Sequence, residues 1–391
     1  MLKLIENLKR ISFSQMLCLG GLATAFVPAA LAGEKIPGAS EIHAQVQKLK
    51  SAYASSLLSG QKVRILNRTA LQPQSVDIEI HCGDVITQSS RIMNDLVCPD
   101  TTGFAVGVNG NGINIDGNGH SITAPNAQTG WYLQGSDLTF TGAIVHGITN
   151  GAGVTVHDVN GIDLGFNDVS FNQTGILIYA EQNTIDTLSL HDNLAVGNAL
   201  FGIRTTQESP GIIMTPFIQH NNLSYSGSFG LYLQASGASL SLADQNDYLN
   251  CINGIYLKDG TFVLNNLSFS NSRIQKRAVF VDSALSFTAN ALDVGTSQVA
   301  TPSQERVGLH LYKVASFAIT QLSTSANDVG VKIATEGGVK STGSVTDSVF
   351  QGNTTAGIMT TSYDGTAFGT MSLNSNTFQL PAGVPAVLST P

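Results

Sequence analysis

From residue 130 onward one phrase recurs: a Gly or Ala, an apolar residue, an outward residue, then usually a second apolar one. Its instances are GWYL from Gly130, GVTV from Gly153, GILI from Gly175, GIRT from Gly202, GLYL from Gly230, GIYL from Gly254, AVFV from Ala278, GLHL from Gly308, GVKI from Gly330 and GIMT from Gly357. Successive copies stand 23, 22, 27, 28, 24, 24, 30, 22 and 27 residues apart, which no helical period explains. A second phrase, apolar-x-apolar followed by Asn, lies between copies and ends at Asn167, Asn193, Asn222, Asn246, Asn266, Asn290 and Asn376. Short period-two strands punctuated by Gly and Asn describe a solenoid whose coils hold two or three strands joined by tight turns. About a dozen such coils account for the chain, so length alone does not demand two domains.

In such a coil the apolar residues of the glycine-led phrase point inward and stack from rung to rung. Ile176, Ile178, Leu231, Leu233, Ile255, Leu257, Val279, Val281, Leu309, Leu311, Val331 and Ile333 are therefore expected to form one continuous core. Asn tolerates left-handed turn geometry and can pair with the amide one rung above, so the Asn phrase predicts a ladder. The first coils are less regular, with strands expected around Phe104 to Val108, Ile113 to Ile115 and Ser121 to Thr123. Before them, Ile42, Val46, Leu49, Tyr53 and Leu57 fall on one face of a predicted helix ended by Gly60, suited to capping the open end of the stack. The tail from Pro381 is expected to close the other end.

Residues 1–32 read as a secretory signal: Lys3, Lys9 and Arg10, an apolar run from Met16 to Ala32, and a small-residue end before Gly33. Gly20, Gly21 and Pro28 interrupt the run, which argues against a permanent membrane span, and no other stretch could cross a bilayer. The expected organisation is a leader over 1–32, a capping helix and lead-in over 33–77, and the solenoid over 78–391. Without the leader 16 basic and 26 acidic residues remain, a net charge of −10, and an acidic chain disfavours a nucleic-acid partner. Charged residues are only 12% of the chain and hydrophobic ones 42%, which excludes disorder. Cys18 leaves with the leader, and Gln15, Met16 and Leu17 lack the small residue of a lipobox. Cys82 and Cys98 would close a loop worth roughly 3 kcal/mol as a disulfide in an oxidising compartment. Cys251 is left over, as a buried thiol or an intermolecular link.

The segment HCGDVITQSSRIMNDLVCPDTTGFAVGVNGNGINIDGNGHSIT, which contains Cys82 and Cys98, resembles the first coils of bacterial right-handed β-helix repeat proteins of the pectin lyase-like superfamily. Those proteins often carry CGD, a later DLxC and a stretch like LDGNGHTI. The resemblance spans about residues 78 to 380 and implies an all-β, right-handed parallel β-helix. It is specific for fold only, because the superfamily includes polysaccharide lyases, hydrolases, epimerases, esterases, periplasmic copper-maturation proteins, adhesins and phage tailspikes. The Asp-Pro-His-Glu motif of mannuronan epimerases is absent. So are the paired aspartates and Gly-His-Gly of polygalacturonases and any Asp cluster suggesting a lyase-type Ca²⁺ site. His120, in DGNGHSI, belongs to that structural signature.

The repeat register nevertheless yields site candidates. With rungs about 4.8 Å apart, the outward residue of the glycine-led phrase forms a column: Arg204, Tyr232, Tyr256, Phe280, His310, Lys332. Two residues on, a second column reads Gln234, Lys258, Asp282, Tyr312. Aromatic faces beside hydrogen-bonding groups suit sugar rings, so the strip could grip an extended polysaccharide or cell-surface glycan. Stacked aromatics also stabilise neighbouring strands, which gives the same columns a purely structural reading. Asp282 as base with His310 or Tyr312 as acid, and Lys258 beside them, would suit β-elimination or hydrolysis, although polar surfaces produce such quartets by chance.

A further column two residues before the Asn ladder, His191, His220 and Asp244, could hold Cu²⁺ or Zn²⁺; the alternative is solvated side chains near a turn. Function on a solenoid concentrates where loops depart from the minimal coil, here from Thr205 to Pro216 and from Asn290 to Gly308. Arg273, Lys276 and Arg277 cluster in an enlarged turn that could meet a uronate, sulfate or phosphate, or simply answer nearby acids. Three functions are thus in play: glycan recognition along the strip, a lyase or hydrolase on the same face, and a structural, adhesive or metal-handling solenoid.

Overall fold

A computed structural model describes residues 75–390 apart from 182–183, 208–215, 235–238, 243–245, 270–271 and 296–304. The leader and capping helix expected before residue 75 lie outside these residues, as does Asp244. Among the described residues every regular element is a strand, every strand pairing is parallel, and the chain forms a β-solenoid of about 11 turns.

The glycine-led phrases build one long face. Strands Thr129–Thr141, Ala152–His157, Thr174–Ala180, Phe201–Gln207, Phe229–Gln234, Asn253–Lys258, Arg277–Asp282, Val307–Tyr312, Val329–Thr335 and Ala356–Ser362 pair in succession. A second face runs from Thr261–Asn265 through Ser286–Asn290, Ser316–Thr320 and Thr342–Thr346 to Met371–Asn374. Short strands such as Ser323–Ser325, Val349–Gln351 and Thr377–Gln379 make a third. The expected early strands are present as Phe104–Asn111, Asn114–Asp116 and Ser121–Thr123. In the tail, Val387–Thr390 pairs with the last glycine-led strand.

The core follows from period two. Ile176, Leu231, Leu233, Ile255, Leu257, Val279, Leu309, Leu311 and Ile333, like the other inward residues expected, are completely buried. Each such side chain contributes about 1.5–3 kcal/mol on leaving water. The leading glycine is required by close approach: a Cβ on Gly254 would stand 2.5 Å from the Ala278 carbonyl oxygen, and one on Gly330 would stand 2.6 Å from that of Gly357. The phrase thus marks the place where consecutive rungs touch through backbone.

The Asn ladder exists and corrects the expected register in one place. Asn167 Nδ2 donates to Asn193 Oδ1 at 3.0 Å, Asn193 Nδ2 to Asn221 Oδ1 at 2.9 Å, and Asn221 Nδ2 to Asn246 Oδ1 at 2.9 Å. The rung therefore uses Asn221 and not Asn222. The residue before each of the first three asparagines turns left-handed, with φ of 59° at Phe166, 54° at Asp192 and 56° at His220. Farther on, Asn266 and Asn290 are exposed, and the ladder's place just before the third strand is filled instead by the buried Leu267, Leu292 and Leu322, while Phe262, Phe287 and Phe317 follow Leu240 in register on the preceding strand. Cys82 and Cys98 form a disulfide, and Cys251 is a free, buried thiol whose Sγ lies 3.1 Å from the Leu223 carbonyl oxygen.

Candidate functional site

Both expected outward columns are present in register. Arg204 pairs with Tyr232, then Tyr256, Phe280, His310 and Lys332 follow one rung at a time. Gln234, Lys258, Asp282 and Tyr312 align beside them. A third column, missed in the sequence, consists of the residues immediately before the phrase-leading position: Phe201, Phe229, Asn253 and Arg277. Alternation along each short strand places the first two columns on the outside, and the third, three residues before the first, joins them across the phrase-leading residue; all are half-buried for the most part.

The rings pack largely on one another. Tyr256 and Phe280 stack at 4.9 Å with 7° between their planes, Phe280 and His310 at 4.9 Å and 24°, and Phe229 lies on Tyr256 at 4.9 Å and 26°. Their faces are therefore shared along the axis, so the strip presents ring edges and polar tips, a correction to the picture of a row of open ring faces. Tyr232 departs from the stack, turned 84° to Tyr256. The Arg204 guanidinium sits 5.5 Å above the Tyr232 ring, and that of Arg277 sits 4.7 Å above Phe280.

Polar groups lock into the same surface. The Tyr256 hydroxyl donates to Asp282 Oδ2 at 2.5 Å, and Ser283 Oγ donates to Asp282 Oδ1 at 2.8 Å. Burial, reinforced by that carboxylate, pushes the Tyr256 phenol well above its ordinary pKa, while burial also raises Tyr232. Lys332 Nζ lies 2.6 Å from Glu305 Oε2, and Lys258 Nζ lies 3.6 Å from Asp259 Oδ2. His310 is only 4% exposed, and neither ring nitrogen has a hydrogen-bond partner among the described residues. Burial, then Arg277, Lys332 and Lys276, holds it neutral, well below its ordinary pKa. Arg277, in the third column, and Lys276 beside it thus reach the strip's electrostatics, whereas Arg273 occupies an exposed left-handed turn residue with φ of 47°.

The expected His191 and His220 pair does not form. His191 aligns with Gln219, and His220 takes the left-handed turn position that Asp192 fills one rung earlier. His191 is instead clamped between carboxylates, Nε2 2.9 Å from Asp163 Oδ1 and Nδ1 2.8 Å from Asp192 Oδ2. Burial would lower its pKa, but the bonds to Asp163 and Asp192 prevail and raise it to about 9. That makes it an ion-paired structural imidazole, with both nitrogens engaged.

No protein-family model matches the sequence, and no curated protein matches it. Among solved structures, a mutant of the periplasmic alginate epimerase AlgG superposes with a TM-score of 0.41 at 9% identity, covering 75% of this chain and 78% of that one. The catalytic domain of a GH87 α-1,3-glucanase in complex with nigerose gives 0.35 at 13% identity, covering 81% of this chain and 63% of that one. No helix among the described residues is long and apolar enough to cross a membrane.

Proposed function

We propose that this chain is an exported β-helix protein that recognises an extended polysaccharide along the strip from Arg204 to Lys332. Residues 1–32 serve as leader and 33–77 as cap, and the Cys82–Cys98 disulfide is compatible with an oxidising compartment outside the cytoplasm. The observation that carries the reading is where unmet hydrogen-bonding capacity lies. Ten buried side-chain polar atoms lack a hydrogen-bond partner among the described residues, and five of them, on Arg204, Asn253, Arg277 and His310, sit in the strip's columns. Each such atom costs about 1–3 kcal/mol when unpaired, and a sugar hydroxyl, able both to donate and to accept, would satisfy it once side chains shift on binding to uncover it.

In this reading ring edges meet the C–H surface of the glycan, and Tyr232, outside the stack, offers the ring face on which a sugar can lie. Gln234, Lys258, Asp282 and Tyr312 border the track, with Lys276, Arg277 and Arg273 toward one flank. A glycan array probed with the native protein and with the Tyr232→Ala, Tyr256→Ala double variant tests it. Loss of the bound signal is expected; binding that survives both substitutions removes the proposal.

A second reading, a lyase or hydrolase on the same face, needs its roles changed: His310, held neutral, is unsuited to the acid role expected of it and would instead offer its lone pair as a base, with Tyr312 left as the acid. Incubation with polyuronates would then yield unsaturated-product absorbance or reducing ends that vanish in Asp282→Asn and His310→Ala. Absence of either product argues against catalysis while leaving glycan binding to the array.

A further inference from the structure

Three rungs before Arg204, the same outer face carries Tyr132, a position followed in register by Thr155 and Leu177. Around it lies a cluster of a different kind. His157 ends its strand, Asp158 begins the turn after it in left-handed conformation with φ of 52°, and Glu181 follows the next strand. His157 Nε2 is 2.9 Å from Glu181 Oε2 and 3.7 Å from Asp158 Oδ2, and the three ligand-capable atoms all lie within 4.8 Å of one another. We propose that His157, Asp158 and Glu181 bind a divalent transition-metal ion of the Zn²⁺ type, with Tyr132 positioning the imidazole.

Three physical features support it. Metal–ligand bonds of roughly 2.0–2.2 Å put neighbouring ligands about 2.9–3.5 Å apart, so His157 already stands at chelating distance from Glu181 and near it from Asp158, and a set within 4.8 Å closes on an ion with shifts of about 1 Å. Two carboxylates and one neutral imidazole supply the charge that balances a divalent cation, and the mixed N and O donor set suits zinc-like ions. The imidazole is also oriented from behind. Its Nδ1 hydrogen-bonds the Tyr132 hydroxyl and its ring stacks on Tyr179 at 5.2 Å, while the Glu181 backbone N–H donates to Asp158 Oδ1 at 2.7 Å. A fixed hydrogen bond on the second ring nitrogen is the usual support of a metal-bound histidine.

Metal binding corresponds to a change of tautomer with protons conserved. Without an ion, Nε2 carries the proton and donates it to Glu181, while Nδ1 accepts from the Tyr132 hydroxyl. With the ion, Nε2 gives its lone pair to the metal, the ring proton resides on Nδ1, and Nδ1–H donates to the Tyr132 oxygen.

The test uses the full chain stripped with EDTA and titrated with Zn²⁺ by calorimetry and with Co²⁺ by visible absorption. A single saturable equivalent and ligand-field bands are expected, both lost in His157→Ala and in Glu181→Gln. Tyr132→Phe should weaken uptake by roughly 10- to 100-fold, the usual effect of losing an outer-shell partner. Glu181 is 41% exposed, so Glu181→Gln carries the test should His157→Ala fail to fold. Absence of uptake by the native chain overturns the site, as does uptake equal in native and variant proteins whose far-UV circular dichroism is unchanged.

Discussion

The hydroxyl of Tyr256 donates to Asp282 on the next rung at 2.5 Å, tying the two outward columns together at the centre of the strip. Because the acceptor is ionised, Tyr256→Phe should destabilise the protein by about 1–2 kcal/mol, the lower part of the range for a hydrogen bond to a charged group given its partial exposure. Urea unfolding measures this. In a spectrophotometric titration of the native protein, one tyrosine should stay un-ionised until base unfolds the chain, and Tyr256→Phe should remove it.

His191 makes stability depend on pH in a defined direction. Its folded pKa is raised from 6.5 to about 9 by Asp163 and Asp192 against the pull of burial, so its contribution is complete below the unfolded value and fades as pH rises through about 9. Thermal midpoints of native protein and His191→Gln should therefore differ most near pH 6 and converge by pH 10. An imidazole resonance titrating near its ordinary value would contradict the clamp.

Asn193 sits completely buried with its amide in the ladder, donating to Asn221 and to the Leu164 carbonyl while accepting from Asn167. Asn193→Ala strands several buried groups and should cost about 3 kcal/mol or more. Asn221→Ala should behave likewise, whereas Asn222→Ala, at a half-buried turn position, should cost about 1 kcal/mol or less. Equal effects of the last two on denaturant midpoints would refute the register.

Cys251 is buried and its thiol is pushed up to about 12. The native thiol count with a disulfide reagent should therefore be the same for Cys251→Ser as for the unaltered chain, and should differ by one after unfolding. Reducing the Cys82–Cys98 bond should lower stability by about 3 kcal/mol.

What the sequence disclosed and what it hid have physical causes. The columns through Tyr232, Tyr256 and Phe280 were legible because a small leading residue, glycine on every rung from Gly130 to Gly357 except that of Ala278, fixes the phase of the phrase. The third column was also within reach, since Phe201, Phe229 and Arg277 directly precede that fixed position, but strand alternation alone does not say that they point outward. Ring orientation was hidden, because stacking is decided by rotamers and neighbours. The His191 and His220 pairing failed because the stretch IQHNN offers two asparagines, and a slip of one residue changes the column. The His157 cluster went unseen because Glu181 belongs to a turn whose course no period dictates.

The change of filling just before the third strand, from interlocked amides up to Asn246 to leucine side chains at Leu267, Leu292 and Leu322, divides the stack between two kinds of adhesive. Apolar burial weakens on cooling and in solvents that dissolve hydrocarbon, whereas fully satisfied amides do not draw on that driving force. Since each turn leans only on the turns beside it, solvent and temperature can choose which end loosens first, so unwinding has a direction that the conditions set.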